Sequence, residues 1–284
     1  MKILVTGATG FIGTHVINEL LSNYDCDIMA TSSNLDKAKK CQWFEHVQYY
    51  EYDINNAHKN CFDFFKQPDL MIHLAWQGLP NYKGLFHFEK NLYTNYYFVK
   101  NMIENGLKSI LVTGTCFEYG MQNGPLKENS EAKPNNPYAI AKDTLRKFLK
   151  QLQKKISFEF KWVRLFYMHG KGQSSSSILS QLDKSLKNCD KVFNMSGGEQ
   201  LRDYLPVEKV AEYIVKIAMQ NKVNGIVNCC SGFPISIRNL VENYLKQKKK
   251  KIDLNFGHYP YPDYEPMAFW GDDKKLKIIL GMGL

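Results

Sequence analysis

No stretch of this 284-residue chain stays apolar for the roughly 18 residues a helix needs to cross a bilayer. The N-terminal MKILVTG is broken by Gly7 too soon to act as a secretory leader, so a cytoplasmic protein with no membrane partner is expected. Cys-x-x-Cys pairs are absent and the seven cysteines fall at irregular spacing, which excludes a disulfide framework and a bound metal of the zinc type. Cys229 and Cys230 are adjacent in an apolar run and read as buried filler. No internal repeat is visible. Acid is the scarcer charge: 28 Asp and Glu stand against 37 Lys and Arg, a net +9. The densest basic stretch, KQKKKK at 246–251, lacks the interleaved aromatics of an RNA-binding surface. It follows the apolar LVENYL and reads as the solvated end of a helix, so no nucleic-acid partner is expected.

What is present is a chain with 44% hydrophobic and 13% aromatic residues, enough for one good core and a smaller lobe. Strand-like and helix-like segments alternate. KILVTG, DIMATS, VQYYEYDI, LMIHLAW, SILVTGT and FEFKWVRLF read as strands, while THVINELLSN, NLYTNYYFVKNMIENG and YAIAKDTLRKFLKQLQKK carry helical spacing. That alternation predicts an α/β fold, a doubly wound parallel sheet with helices on both faces. From about Gly170 the pattern loosens into a Ser run, short helices, the late strand GIVNCCSG and a Pro/Tyr-rich tail. Residues 1–169, with a strand near 225–230, are therefore expected to form the sheet domain, and 170–284 most of a C-terminal lobe.

TGATGFIG places Gly7, Gly10 and Gly13 between the first strand and the first helix. The first allows a tight turn, the second lets backbone approach a pyrophosphate, and the third lets helix pack on strand. The helix N-terminus favours the anion. A dinucleotide site is predicted. At the end of the second strand a carboxylate would hold the adenosine ribose and repel a 2′-phosphate. Here stand Thr31, Ser32 and Ser33, with Lys37 following, a set that favours NADPH while tolerating NAD. Asp53, after the third strand, suits either the adenine amino group or a turn cap. In NPYAIAK, Tyr138 and Lys142 share a helix face. A neighbouring ammonium lowers the pKa of a phenol that is otherwise a poor acid–base group at pH 7.

These segments, with VTGTCFEYG, WVRLFYMHGKGQ, GGEQLRDYLPVEKVA, VNCCSGFPISIRNLVE and EPMAFWGDDKKL, resemble the extended short-chain dehydrogenase/reductases of the nucleotide-sugar epimerase/dehydratase branch. The resemblance covers nearly the whole chain. It implies a Rossmann domain, a C-terminal lobe for a nucleotide-diphosphate sugar, and a Ser/Thr-Tyr-Lys triad, here Thr115, Tyr138 and Lys142. It implies dinucleotide contacts from Thr9, Phe11, Ile12, Ile54, Leu74 and Ala75. It also implies a homodimer through the helices at 91–105 and 138–153.

Sugar 4,6-dehydratases of this family carry Asp-Glu directly after the Thr; Cys116-Phe117 stands here, which argues against dehydration. Both residues are placed beside the sugar, Cys116 as packing, while Glu118 reads equally as structural or pocket-lining. The resemblance places Tyr82 and His87 in a sugar-contacting loop, Arg202 on the diphosphate and Glu265 on ribose hydroxyls. Tyr167 and Pro262 depart from an Asn and an Arg common in the family. The implied activity is NADPH-dependent reduction of a nucleotide-linked 4-keto-6-deoxysugar. The alternatives are an NAD-retaining 4-epimerase and a non-catalytic NADPH-sensing interaction protein.

Overall fold

Strands that read as unbroken apolar runs need cover on both faces, and parallel neighbours need crossover helices to join them. The computed structural model, which describes residues 1–56 and 59–282, meets both demands. Strands β1 (Lys2–Thr6), β2 (Asp27–Ser32), β3 (Gln48–Glu51), β4 (Leu70–His73), β5 (Ser109–Thr115), β6 (Glu159–Leu165) and β7 (Gly225–Cys229) form one sheet. Its order is β7-β6-β5-β4-β1-β2-β3, with every neighbouring pair parallel. Ile3, Leu4 and Val5 are fully buried, as alternate faces of a doubly covered strand must be.

Helices α1 (Phe11–Asn23) and α4 (Val207–Met219) cover one face, where Val16, Ile17 and Leu20 meet Val210, Ala211 and Ile214. Helices α2 (Leu92–Glu104) and α3 (Pro137–Gln153) cover the other, through Phe98, Val99 and Met102 on one and Leu145 and Leu149 on the other. Asn136 caps α3, its side chain accepting from the Ala139 N–H at 2.9 Å, with Pro137 in the first turn. The buried face of α3 includes Tyr138, Lys142, Leu145 and Leu149, so an apolar stripe carries two polar groups into the interior.

The chain runs outward from β1 through β2 to β3, then returns to place β4 on the other side of β1. Such a reversal opens a crevice beyond the carboxyl ends of the strands. Smaller sheets lie beyond it: Tyr167–His169 with Leu201–Pro206 and Pro234–Ser236, and Val192–Asn194 with Asp253–Asn255. A third, Gly124–Leu126 with Phe269–Gly271, ties the chain's last part to its middle. The buried carboxylate of Asp203 accepts from the N–H groups of Ser231 (2.7 Å), Gly232 (3.0 Å) and Gly271 (3.3 Å), fastening three segments at one point. The basic run at 246–251 begins in the last turn of the helix Ile237–Lys248, and Lys249 ends that helix in the left-handed conformation. Cys229 and Cys230 are buried. No helix among the described residues is long and apolar enough to cross a membrane.

Candidate active site

Backbone builds the first half of the crevice. Gly7 has φ +68°, and a Cβ there would lie 2.9 Å from the Ala75 nitrogen. A Cβ on Gly13 would come within 2.2 Å of the Gly7 carbonyl, so α1 approaches the turn only because hydrogen stands there. Helix α1 starts at Gly10 with no side-chain cap and no acid in its first turn, leaving its free N–H groups to an anion. The cleft, about 200 Å³, is lined by Gly7, Thr9, Gly10, Thr31, Ser32, Ser33, Lys37, Asp53, Ile54, Leu74 and Ala75. Phe11, Ile12 and Gly13, expected to contact the dinucleotide, form the first turn of α1 and are not among the residues that line the cleft. A pyrophosphate-bearing dinucleotide fits this cradle, and the buried Thr31 hydroxyl lacks a protein partner within it.

Thr6, which sequence reasoning alone does not single out, holds the cleft's far wall. Its Oγ1 accepts from the N–H groups of Leu74 (3.2 Å) and Ala75 (3.3 Å) and lies 2.8 Å from His73 Nδ1. His73 Nε2 sits 2.8 Å from the side-chain oxygen Oδ1 of Asn95, so the proton belongs on Nε2 and Nδ1 accepts from Thr6. Burial, with the Lys142 charge adding, pushes His73 down to about 4. The Asp53 carboxylate accepts from the Asn55 N–H (3.0 Å) and side-chain amide (2.6 Å), which makes it a turn cap at the cleft edge. Glu51 is likewise silent in the sequence. It stands opposite Ser32 in the β2–β3 register and accepts from the Leu35 N–H at 3.1 Å, putting a carboxylate beside a position where β2 itself has none. Only cross-strand register reveals it.

Thr115 ends β5, and its Oγ1 accepts from the Phe117 N–H at 3.3 Å, which leaves its O–H free to donate. Burial, and then the neighbouring Tyr82, push the Tyr138 phenol up, partly offset by a hydrogen bond from Thr115. Lys142 Nζ donates to the Thr113 carbonyl at 2.8 Å and is pushed down to about 7 by burial, with Glu118 opposing. Glu118 is structural. It is fully buried; one oxygen accepts from the Thr115 N–H (2.9 Å) and the Trp162 indole (3.0 Å), the other from Arg164 Nε (2.8 Å). Cys116 is buried, and desolvation followed by the Glu265 charge raises its thiol far above the ordinary range. It stays protonated.

Aromatic rings make the second half of the crevice. Tyr82 lies 5.6 Å from Tyr138, 5.1 Å from Phe117 and 6.3 Å from Tyr264, and Tyr167 lies 6.2 Å from Phe117. His87 does not line this space as expected. It is fully buried, its Nε2–H donating to the Asn81 carbonyl (2.7 Å) and its Nδ1 accepting from the Trp76 indole (3.0 Å). Arg202 and Glu265, expected on different parts of a ligand, hold each other: Nε and Nη2 reach one carboxylate oxygen at 3.0 and 2.7 Å. The guanidinium also lies over the Phe269 ring at 4.7 Å.

A Rossmann sheet with a glycine-built anion cradle beside a buried Thr, Tyr and Lys defines an oxidoreductase-type enzyme of the extended short-chain dehydrogenase/reductase class. The chain belongs to the NAD-dependent epimerase/dehydratase family, whose model matches residues 3–230. It is 31% identical over 273 residues to a dTDP-6-deoxy-L-talose 4-dehydrogenase (NAD(+)) of Aggregatibacter actinomycetemcomitans, covering 95% of this chain and 99% of the relative. It is 22% identical over 270 residues to a dTDP-4-dehydro-6-deoxyglucose reductase of Escherichia coli, covering 89% of this chain and 84% of that one. In fold it is similar to a UDP-glucuronic acid 4-epimerase of Bacillus cereus solved with UDP-glucuronic acid and NAD. The TM-score is 0.84 at 24% identity, over 100% of this chain and 94% of the other.

Proposed function

We propose that the protein interconverts a nucleotide-linked 4-keto-6-deoxysugar and its 4-hydroxy form, working as a reductase with NADPH. The observation that carries this reading is the meeting of Thr115, Tyr138 and Lys142 beside the glycine cradle, with protonated Cys116 where a dehydratase of the family has an acid. The names of the talose dehydrogenase and the deoxyglucose reductase support a dTDP-linked hexose with chemistry at C4.

A bound dinucleotide would be held along Gly7 to Gly13 and would supply the hydride. Thr115 donates its O–H to the ketone oxygen and holds the carbonyl in place. Tyr138, kept protonated by burial, gives that oxygen its proton as the alkoxide forms. Lys142, charged, stabilises the phenolate that remains. The aromatic wall of Tyr82, Phe117 and Tyr264 suits the methyl group of a 6-deoxysugar better than a hydroxymethyl or a carboxylate. A second copy of the chain would meet the outer faces of α2 and α3, where Tyr93, Tyr97 and Ile140 are exposed. The seven free thiols suit a reducing compartment such as the cytoplasm.

A second reading, an NAD-retaining 4-epimerase, rests on Glu51, whose carboxylate can receive ribose hydroxyls in place of the acid missing from β2. Identifying the dinucleotide released from freshly denatured protein, then following NADPH and NADH oxidation with dTDP-4-keto-6-deoxyhexoses, separates the two. Turnover with NADPH is expected, falling at least about 100-fold in Tyr138→Phe. Tightly retained NAD, or near-full turnover by that variant, overturns the proposal.

A further inference from the structure

Trp76 lines the cleft beside Leu74 and Ala75, and neither a glycine cradle nor a Tyr-Lys pair calls for an indole there. Its ring face lies 4.0 Å from Lys142 Nζ, and its edge meets Tyr138 at 6.0 Å between centroids, inclined 69°. The indole does not rest there by packing alone. Its N–H donates to His87 Nδ1 at 3.0 Å, and His87 Nε2–H donates to the Asn81 carbonyl at 2.7 Å. The imidazole lies nearly parallel to the indole, at 20°. Because a carbonyl only accepts, the proton sits on Nε2 and Nδ1 must be the acceptor, so His87 is neutral in this chain. Asn91 steadies the same turn, donating to the Gln77 carbonyl at 2.9 Å.

We propose that Trp76 is a positioning residue for Lys142: its ring face partners the buried ammonium opposite the Thr113 carbonyl, and the Asn81–His87 chain locks the indole in that place. An ammonium taken out of water loses hydration that a single carbonyl does not replace, and a ring quadrupole compensates more strongly once water is excluded. The charged and titratable groups facing Lys142 come from four elements. They are Glu118 after β5, His73 on β4, His87 before α2, and Tyr138 on α3 itself. Burial, with the Lys142 charge adding, lowers both histidines and keeps them neutral against the pull of their hydrogen bonds to Asn95 and Asn81. Glu118 is the counter-charge, but Arg164 already engages it. Burial leaves Lys142 titrating at about 7, where a modest interaction decides whether it is charged at the pH of the cell.

The test reads Lys142 directly, by the pH titration of its side-chain ¹³Cε resonance in lysine-labelled protein, assigned with Lys142→Arg. Trp76→Leu is expected to lower the midpoint by about one unit. Trp76→Phe, which keeps a ring but not the N–H, should recover part of that shift. His87→Leu, which frees an intact indole, should produce a smaller shift in the same direction. A ring that merely fills space would lower thermal stability and leave the midpoint where it was. An unmoved midpoint in folded Trp76→Leu overturns the proposal. If that variant does not fold, an unmoved midpoint in both Trp76→Phe and His87→Leu overturns it equally. A kinetic arm rests on the proposed reductase reading. Since the charged lysine is the active form, turnover is lost as pH rises through the midpoint, and Trp76→Leu moves that limb to lower pH. Wild-type protein that reduces no 4-keto sugar would count against the reading, while the resonance would still report on Trp76.

Discussion

The two halves of the crevice solve different problems. Its cofactor half is made of backbone: a glycine turn, an uncapped helix start, and a wall pinned by one threonine hydroxyl. Nothing there must let go of a partner before a pyrophosphate can bind. Its other half, where we propose that the sugar binds, is made of side chains that satisfy one another, with Arg202 on Glu265 and a packed group of aromatic rings. A ligand there has to exchange contacts rather than add them, so discrimination between sugars can be strict where selection for a dinucleotide is permissive.

The contrast is broken most severely at Gly13. A methyl group there would sit 2.2 Å from the Gly7 carbonyl and 2.9 Å from Ala8 Cα, both backbone atoms that cannot swing aside. Gly13→Ala is expected to weaken dinucleotide binding by about 100-fold or more and to cost roughly 1–3 kcal/mol of stability through overpacking. Cofactor fluorescence titration with a thermal melt reads both. Wild-type affinity in this variant would mean that the cradle is not rigid.

The next effect belongs to the sugar half. Arg202→Leu leaves the largely buried Glu265 carboxylate without its counter-ion, a change worth about 3–5 kcal/mol. A marked fall in melting temperature is expected, with dinucleotide affinity retained. Replacing both partners, Arg202→Met with Glu265→Leu, should restore most of the stability without restoring binding of the nucleotide sugar. If the single substitution leaves the melting temperature unchanged, the pair is not what holds this half together.

The same division explains what is legible in the sequence. Gly7, Gly10 and Gly13, and the Tyr138–Lys142 pair, announce themselves because turns and helix faces are local, with spacing of a few residues. The seven parallel strands follow from equally local patterns, apolar runs for most of them and the alternation of VQYYEYDI for the third. What escapes depends on partners far along the chain. Glu118 has no assignable role until Trp162 and Arg164, 44 and 46 residues on, are seen to occupy its carboxylate. The family resemblance places His87 in a sugar-contacting loop; only the indole of Trp76 and the carbonyl of Asn81 show it to be a buried link. Arg202 and Glu265, 63 residues apart, each suggest a contact with ligand, and the structure also pairs them with each other. Their mutual attraction needs only proximity, which a sequence does not display.

The smallest expected effect lies where the permissive half makes its one choice, at the tip of β2. Lys37 lies in the short helix Leu35–Ala38, its N–H received by Asn34 at 2.7 Å, and its side chain borders the cleft with Ser33. Glu51, opposite Ser32 in the β2–β3 register, lines an adjoining hollow with Ser33 and Leu35, and the Ser32 hydroxyl is already shared with Tyr49 at 2.9 Å. A 2′-phosphate here would meet one cation and one carboxylate, both exposed. In water a pair of unit charges 4 Å apart is worth only about 1 kcal/mol. Lys37→Ala is therefore expected to weaken NADPH binding by about five- to tenfold, leave NADH binding unchanged, and lose its effect as salt is raised. Glu51→Gln should strengthen NADPH by a similar factor, since it removes the repulsion and keeps an amide for the ribose. Equal NADPH affinity in the wild type and Lys37→Ala, with NADH weakened in Glu51→Gln, would reverse the assignment and make the β3 carboxylate the selector for NAD.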